Sequence, residues 1–186
     1  MLDIIRKRLG AYIPQAIPCE PSIRAAAAIL LFEKEEDIFC VLTKRSDTVR
    51  FHKGEVSFPG GMVEPDDRDA VHTALRETSE EIGVRHEDVE IIGRLDDTGT
   101  LTGFVITPVV GIIPHPYDFT TNPEEVAHLI FLPYSQVRNH QPVSILAEHE
   151  GRRWTVPSIH YNGNRIWGAT CRILLRFRNI IENENP

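Results

Sequence analysis

The stretch from Asp67 to Gly83, DRDAVHTALRETSEEIG, constrains this chain more than any other. Val71, Ala74, Leu75, Thr78 and Ile82 recur at helical spacing and give a helix from about Asp67 to Ile82 one stripe to bury. Asp66 or Asp67 is placed to cap its N-terminus, and Gly83 stands where a left-handed residue ends a helix. A helix with one apolar face needs a second layer. The flanking segments supply it. Arg24–Phe32 is an apolar run, Lys34–Asp37 a polar turn and Ile38–Thr43 a second run, which together predict a hairpin. EVSFPGGMVE predicts a short strand entering a Pro-Gly-Gly loop. Val89–Leu95 and Phe104–Ile113 predict strands separated by the turn-rich loop DDTGTLTG. Ala127–Leu132 reads as another strand, Pro133–Val137 as the opening of a short helix, and EHEGRRWTV and NGNRIWG as later turns and strands. The closing helix places Ile173, Leu174, Phe177, Ile180 and Ile181 on one face. Strands interspersed with few helices predict an α/β or α+β layered domain without repeats or linkers.

Composition bounds the function. A chain of 186 residues, 41% hydrophobic and 25% charged, suits one globular domain spanning residues 1–186. No apolar run approaches the ~20 residues of a membrane span. MLDIIRKRLG predicts a short amphipathic helix and lacks the apolar centre of a signal peptide, so the default location is the cytoplasm. Cys19, Cys40 and Cys171 are scattered, and buried free thiols fit them better than a zinc site. A net charge of -7 disfavours nucleic acid, whose phosphates would be repelled, but leaves a small anionic substrate open.

Chemistry concentrates in RETSEEIG. Glu77 and Glu81 lie four apart and Glu80 three from Glu77, so three carboxylates crowd one region of a helix. Arg76 can relieve this crowding through Glu80, but one cation does not neutralise three anions. Magnesium does, because it prefers carboxylate oxygens, waters and substrate phosphates. On its own such a cluster reads first as a solvated acidic helix face. Its context favours chemistry. The glycines of FPGG, Phe58–Gly61, let backbone approach a phosphate, and Lys44, Arg45, Arg50, His52 and Lys53 lie just before them.

GGMVEPDDRDAVHTALRETSEEIGV resembles the Nudix box: Gly61, Arg76, Glu77, Glu80, Glu81, Gly83 and Val84 match. Thr78 replaces a hydrophobic residue, and one extra residue separates Gly61 from Arg76, with Asp66 and Asp67 near the first acidic position; no role is carried over to them. LTKRSDTVRFHKGEVSFPGG resembles the further motif of the coenzyme A diphosphatase branch through Leu42, Thr43, Arg45, Ser46, Arg50, Gly54, Phe58, Pro59, Gly60 and Gly61. That branch shares the longer box and the Thr after Arg-Glu. TPVVGIIP and NPEEV are similar to its later segments, and the resemblance extends over roughly residues 24–180.

The resemblance implies an α/β/α sandwich with a mixed β-sheet and cleavage of coenzyme A to 3′,5′-ADP and 4′-phosphopantetheine. It also implies magnesium, with manganese able to replace it. Spacing and motif together assign Glu77 and Glu81, with Glu80, as metal ligands. Arg76 is expected to orient these carboxylates, and the general base is Glu80 or Glu125. Arg45, Arg50, Lys53, Gly60 and Gly61 are the candidates for contact with substrate. The histidines have no metal spacing, and Trp154 and Trp167 read as packing residues. A homodimer is compatible with the sequence. Three other readings stay open: a Nudix hydrolase of another nucleoside diphosphate derivative such as ADP-ribose, a non-catalytic ligand sensor of this fold, and an RNA decapping protein.

Overall fold

The structure, a computed structural model, describes residues 1–18, 23–48, 53–141, 143–149 and 151–182. Helix α1 (Leu2–Ala11) precedes strands β1 (Ile23–Lys34), β2 (Asp37–Arg45), β3 (Val56–Ser57) and β4 (Gly60–Met62). Helix α2 (Ala70–Ile82) leads to β5 (Glu90–Arg94), β6 (Thr98–Gly99), β7 (Phe104–Ile112) and β8 (Val126–Pro133). Helix α3 (Tyr134–Asn139), strands β9 (Val143–His149), β10 (Arg152–Tyr161) and β11 (Asn164–Trp167), and helix α4 (Gly168–Glu182) complete it. No helix among the described residues is long and apolar enough to cross a membrane.

Among the described residues eight strands form a mixed sheet. Its centre is the parallel pair β1–β7, in register from Ile23 opposite Phe104 to Leu31 opposite Ile112. The other pairings are antiparallel. Alternation along β1 divides the interior in two. Ala27, Ile29 and Leu31 pack with Ile5 and Leu9 of α1, Tyr134 and Val137 of α3, and Cys171, Leu174 and Phe177 of α4. Ala26, Ala28, Leu30 and Phe32 pack with Ala74 and Ile82 of α2. This is the α/β/α sandwich. Strands β9, β10 and β11 form a separate sheet that holds Trp154 and Trp167, both half-buried.

The β1–β2 hairpin turns through Glu35 and Glu36, both at positive φ, between Lys34 and its partner Asp37. Beyond this turn the two strands separate. Val56 and Ser57 pair with β2, and three residues later Gly60–Met62 pair with Ala25–Ala27 of β1. Residues 56–62 are therefore a wedge between β1 and β2. The expectation of a Pro-Gly-Gly loop needs correction, because both glycines lie in strand β4. The reason is non-local: a Cβ on Gly60 would sit 2.3 Å from the Ala26 carbonyl oxygen.

Other expectations shift as well. The helix begins at Ala70 and is capped by Asp69, whose side chain accepts from the His72 N–H at 2.9 Å; neither Asp66 nor Asp67 caps it. Gly83 does end it in the left-handed conformation, φ 70°. The buried face carries Thr73, Ala74, Thr78, Glu81 and Ile82, while Val71 and Leu75 are half-buried. The helix is thus rotated so that a carboxylate points inward. The loop DDTGTLTG contains the short strand β6. Cys40 and Cys171 are buried free thiols, and Cys19 lies outside the described residues.

Residues 12–17 are strapped to the corner before β6. Asp96 accepts from the Tyr12 hydroxyl (2.6 Å) and the Gln15 N–H (2.8 Å), and pairs with Arg176 of α4. Asp97 accepts from the Ile17 N–H (3.0 Å), Arg24 (2.6 Å) and Thr107 (2.7 Å).

The wedge makes Gly60 the least replaceable glycine for packing. Gly60→Ala forces backbone against backbone, and overpacking of that kind costs about 1–3 kcal/mol. The expected fall in melting temperature is about 2–12 °C. Gly99→Ala, with nothing within 4 Å of the added Cβ, should leave it nearly unchanged. Thermal melts of the two variants side by side check this.

Candidate active site

Helix α2 presents its carboxylates to the wedge. Glu77 lies flat against Gly61, where a Cβ would come within 2.3 Å of its Oε1. Glu81 is 2% exposed; its Oε1 is 3.8 Å from Arg45 Nη1. Its Oε2 is buried without a hydrogen-bond partner, as is Nε of Arg45. Burial pushes the Glu81 carboxyl up to about 8. Arg45 and the Gly60 N–H pull it down, and the charges of Glu77 and Glu125 push it further up. Burial likewise raises Glu77, against the pull of Arg76, with Glu80 and Glu125 adding to the rise. Four acidic groups therefore share one field, and the most buried of them keeps one oxygen without a hydrogen-bond partner.

The structure brings together Glu77, Glu81, Glu125, Arg45, Gly60 and Gly61 from the expected set. Glu80 sits to the outside, 55% exposed, with its carboxylate 3.0 Å from Arg76. Lys53 is an exposed turn residue, and Arg50 and His52 lie outside the described residues. The glycines have packing reasons of their own. Gly60 admits the backbone of β1, and Gly61 admits Glu77. Among the described residues no group of three His, Cys, Asp or Glu side chains is arranged to enclose a metal ion. Arg76 holds Glu77 and Glu80, and Arg45 stands beside Glu81. The donor chemistry still suits a hard divalent cation, because an unpartnered buried carboxylate oxygen amid like charges is what such an ion neutralises.

Sequence reasoning missed Asp67. It is 1% exposed and accepts from Arg76 through Nε (3.2 Å) and Nη2 (3.0 Å). It also accepts from Thr73 Oγ1 (2.9 Å) and the Glu64 N–H (2.9 Å), and meets His72 Nδ1 at 3.0 Å. Thus clamped, Arg76 spends its remaining donors on Glu77 (2.9 Å), Glu80 (3.0 Å) and the Met62 carbonyl (3.0 Å). The available signal was spacing: five residues separate Asp67 from Gly61, as five separate the glycine from the first acidic residue in the Nudix box that the sequence resembles, so the extra residue falls after it. Hydrogen bonds from Arg76 hold the Asp67 carboxyl well below the usual range. Its contribution to stability is therefore complete at neutral pH and is lost only as pH falls through that lowered value.

Asp67→Asn turns an amide toward the guanidinium. Breaking a fully buried pair costs about 3–5 kcal/mol. Arg76 is 17% exposed, so a loss of roughly 2 kcal/mol is expected after solvent screening. Melting should fall by about 4–8 °C, measured at pH 7.

A family model described as the NUDIX domain matches residues 22–160. Over 152 residues the chain is 34% identical to the uncharacterized Nudix hydrolase NudL of Photorhabdus laumondii, covering 81% of each chain. It is 38% identical over 155 residues to NudL of Enterobacter sp. (strain 638), covering 81% of this chain and 79% of that one. A MutT/nudix family protein from Enterococcus faecalis superposes with a TM-score of 0.57 at 14% identity, over 98% of this chain and 70% of that structure. The Nudix hydrolase RenU from M. smegmatis gives a TM-score of 0.52 at 18% identity, over 62% and 73% of the respective chains. At these identities the two structures speak for the fold alone. Family model and sequence relatives speak for more: the chain belongs to the Nudix hydrolase family.

Proposed function

We propose that the protein hydrolyses the diphosphate bond of coenzyme A or its derivatives, with magnesium, releasing 3′,5′-ADP and 4′-phosphopantetheine. The observation that carries the metal-dependent reading is the buried, unpartnered Oε2 of Glu81 beside Arg45. Coenzyme A is favoured because residues of its branch motif line this place. Arg45 ends β2 next to Glu81. Ser46 ties the same segment to the loop of Glu125, donating to the Glu124 carbonyl at 2.6 Å. Gly60 and Gly61 lie beneath the carboxylates. The same reading places the enzyme in the cytoplasm.

Glu77 and Glu81 would hold the ion, with Glu125 close enough to share its charge. Bound there, magnesium supplies charge neutralisation on the diphosphate and lowers the pKa of a water. Arg45 stands beside the carboxylates with its side chain still 25% exposed, and a guanidinium fork suits phosphate oxygens. Arg76, locked by Asp67, fixes the rotamer of Glu77 and so orients a ligand without meeting substrate. Of the two candidates for the base, Glu125 lies among the inner carboxylates, and Glu80 faces outward to Arg76.

Turnover of coenzyme A and ADP-ribose with magnesium tests the proposal. Coenzyme A should have the higher kcat/KM, and Glu77→Gln and Glu81→Gln should each lose at least about 100-fold, more than a residue that merely supports a ligand. A severalfold preference for ADP-ribose would move the substrate to that class, and near-normal turnover in either variant would remove the ligand assignment.

Glu81 also makes a prediction that needs no substrate. Its carboxyl is raised in the folded chain, so between the ordinary Glu value of about 4.3 and about 8 the folded state binds the extra proton. Stability in chelator should therefore fall as pH rises through that window. Magnesium at ten times its Kd should restore about 1.4 kcal/mol at pH 8, or about 3–6 °C. Melts of Glu81→Gln should lose both the slope and most of the magnesium shift.

A further inference from the structure

We infer that Asn122 is the positioning residue that sets Glu125 against the end of helix α2. The inference rests on the reading of Glu125 as a member of the active site. Glu125 comes from a loop far along the chain from α2, so something must fix its carboxylate relative to Glu77 and Glu81. Asn122 touches both sides. Its backbone N–H donates to the Glu81 carbonyl at 2.9 Å, and its Nδ2 donates to Glu125 Oε1 at 3.2 Å.

The orientation of the amide follows from its other contact. Oδ1 accepts from the Glu124 N–H at 3.1 Å, and since that N–H can only donate, the NH2 group must be the one facing Glu125. The Asn122 carbonyl in turn accepts from the N–H groups of Glu125 (3.1 Å) and Val126 (2.8 Å). Thr120, two residues earlier, donates its N–H to the Ile82 carbonyl at 3.1 Å. Loop residues 120–122 thus take two of the last helix carbonyls, which have no partner within the helix. The far side of the loop is pinned as well. The Ser46 N–H donates to the Glu125 carbonyl at 2.9 Å, and Thr48 Oγ1 donates to the Glu124 carbonyl at 2.7 Å. With the backbone held on both sides, the one contact recorded on the Glu125 carboxylate from a neighbouring donor, among the described residues, is the Asn122 amide.

A purely local role, an Asx turn that shapes the loop, is the competing account, and the two are separable. Asn122→Asp keeps the acceptor for the Glu124 N–H and the shape of the turn, but it faces Glu125 with a second carboxylate. Asn122→Ser keeps an acceptor oxygen and removes the amide NH2 that reaches Glu125. A positioning role requires both variants to melt within about 2 °C of the parent. It also requires kcat to fall about 10- to 100-fold with little change in KM, on whichever of coenzyme A and ADP-ribose the parent cleaves faster. Introduced into Glu125→Gln, Asn122→Asp should cost nothing further, because its effect passes through the missing carboxylate.

Unchanged kcat in both variants, or an equal further loss on the Glu125→Gln background, overturns the inference. Full activity of Glu125→Gln beside an inactive Glu77→Gln also overturns it, and leaves the hydrolase reading standing. Inactivity of the parent on every diphosphate tried is the separate failure of that reading.

Discussion

The carboxylate site depends on how closely helix α2 lies on the sheet, and small residues set that distance. Ala26 and Ala28 of β1 and Ala74 of α2 are nearly fully buried in the layer between them. Gly61 removes the last obstacle, so the Glu77 carboxylate rests where a Cβ would otherwise be. A larger side chain at any of these places would lift the helix and carry its glutamates away from Gly60 and Arg45. The run of alanines in β1 costs apolar burial that Val or Ile would have supplied. What it provides is reach.

That reach has an electrostatic consequence. Carboxylates brought this close to a sheet lose water, and among the described residues Arg45 and Arg76 are the guanidinium groups that meet them. Arg76 is committed to Asp67 by two hydrogen bonds before it meets Glu77 and Glu80, so it behaves as a fixed strut. Among the described residues Arg45 has a loose contact with Glu81, at 3.8 Å. One cation is thus locked and the other loosely held, the division on which the roles proposed for Arg76 and Arg45 rest.

Much of this was legible in the sequence where the signal is local. Helical spacing placed α2 and its Gly83 terminus, the same spacing placed the buried face of α4, and four-residue separation paired Arg76 with Glu80. Two apolar runs on either side of a polar turn placed the β1–β2 hairpin. What failed to show depends on contacts distant in the chain. Asp66, Asp67 and Asp69 are all able to cap a helix, and only the position of Arg76 a few turns on takes Asp67 out of that role. FPGG has the composition of a turn, and the neighbouring backbone that makes it a strand is in β1. Strand β6, with two residues, is too short to carry a period. Glu125 was readable as a candidate, but not the Asn122 contacts that join its loop to α2.

The strap over residues 12–17 bears on where the folding unit begins. The family match starts at residue 22, inside the chain from the strap. A protein trimmed to that boundary would lose Ile5 and Leu9 from the interior, and Leu9 is the residue that lies over Gly93. Asp96 would keep Arg176 but lose Tyr12 and Gln15, and Asp97 would lose Ile17. The segment that the family model matches is therefore shorter than the unit that burial ties together. The first helix thus supports the interior on the face of the sheet opposite α2 and its carboxylates.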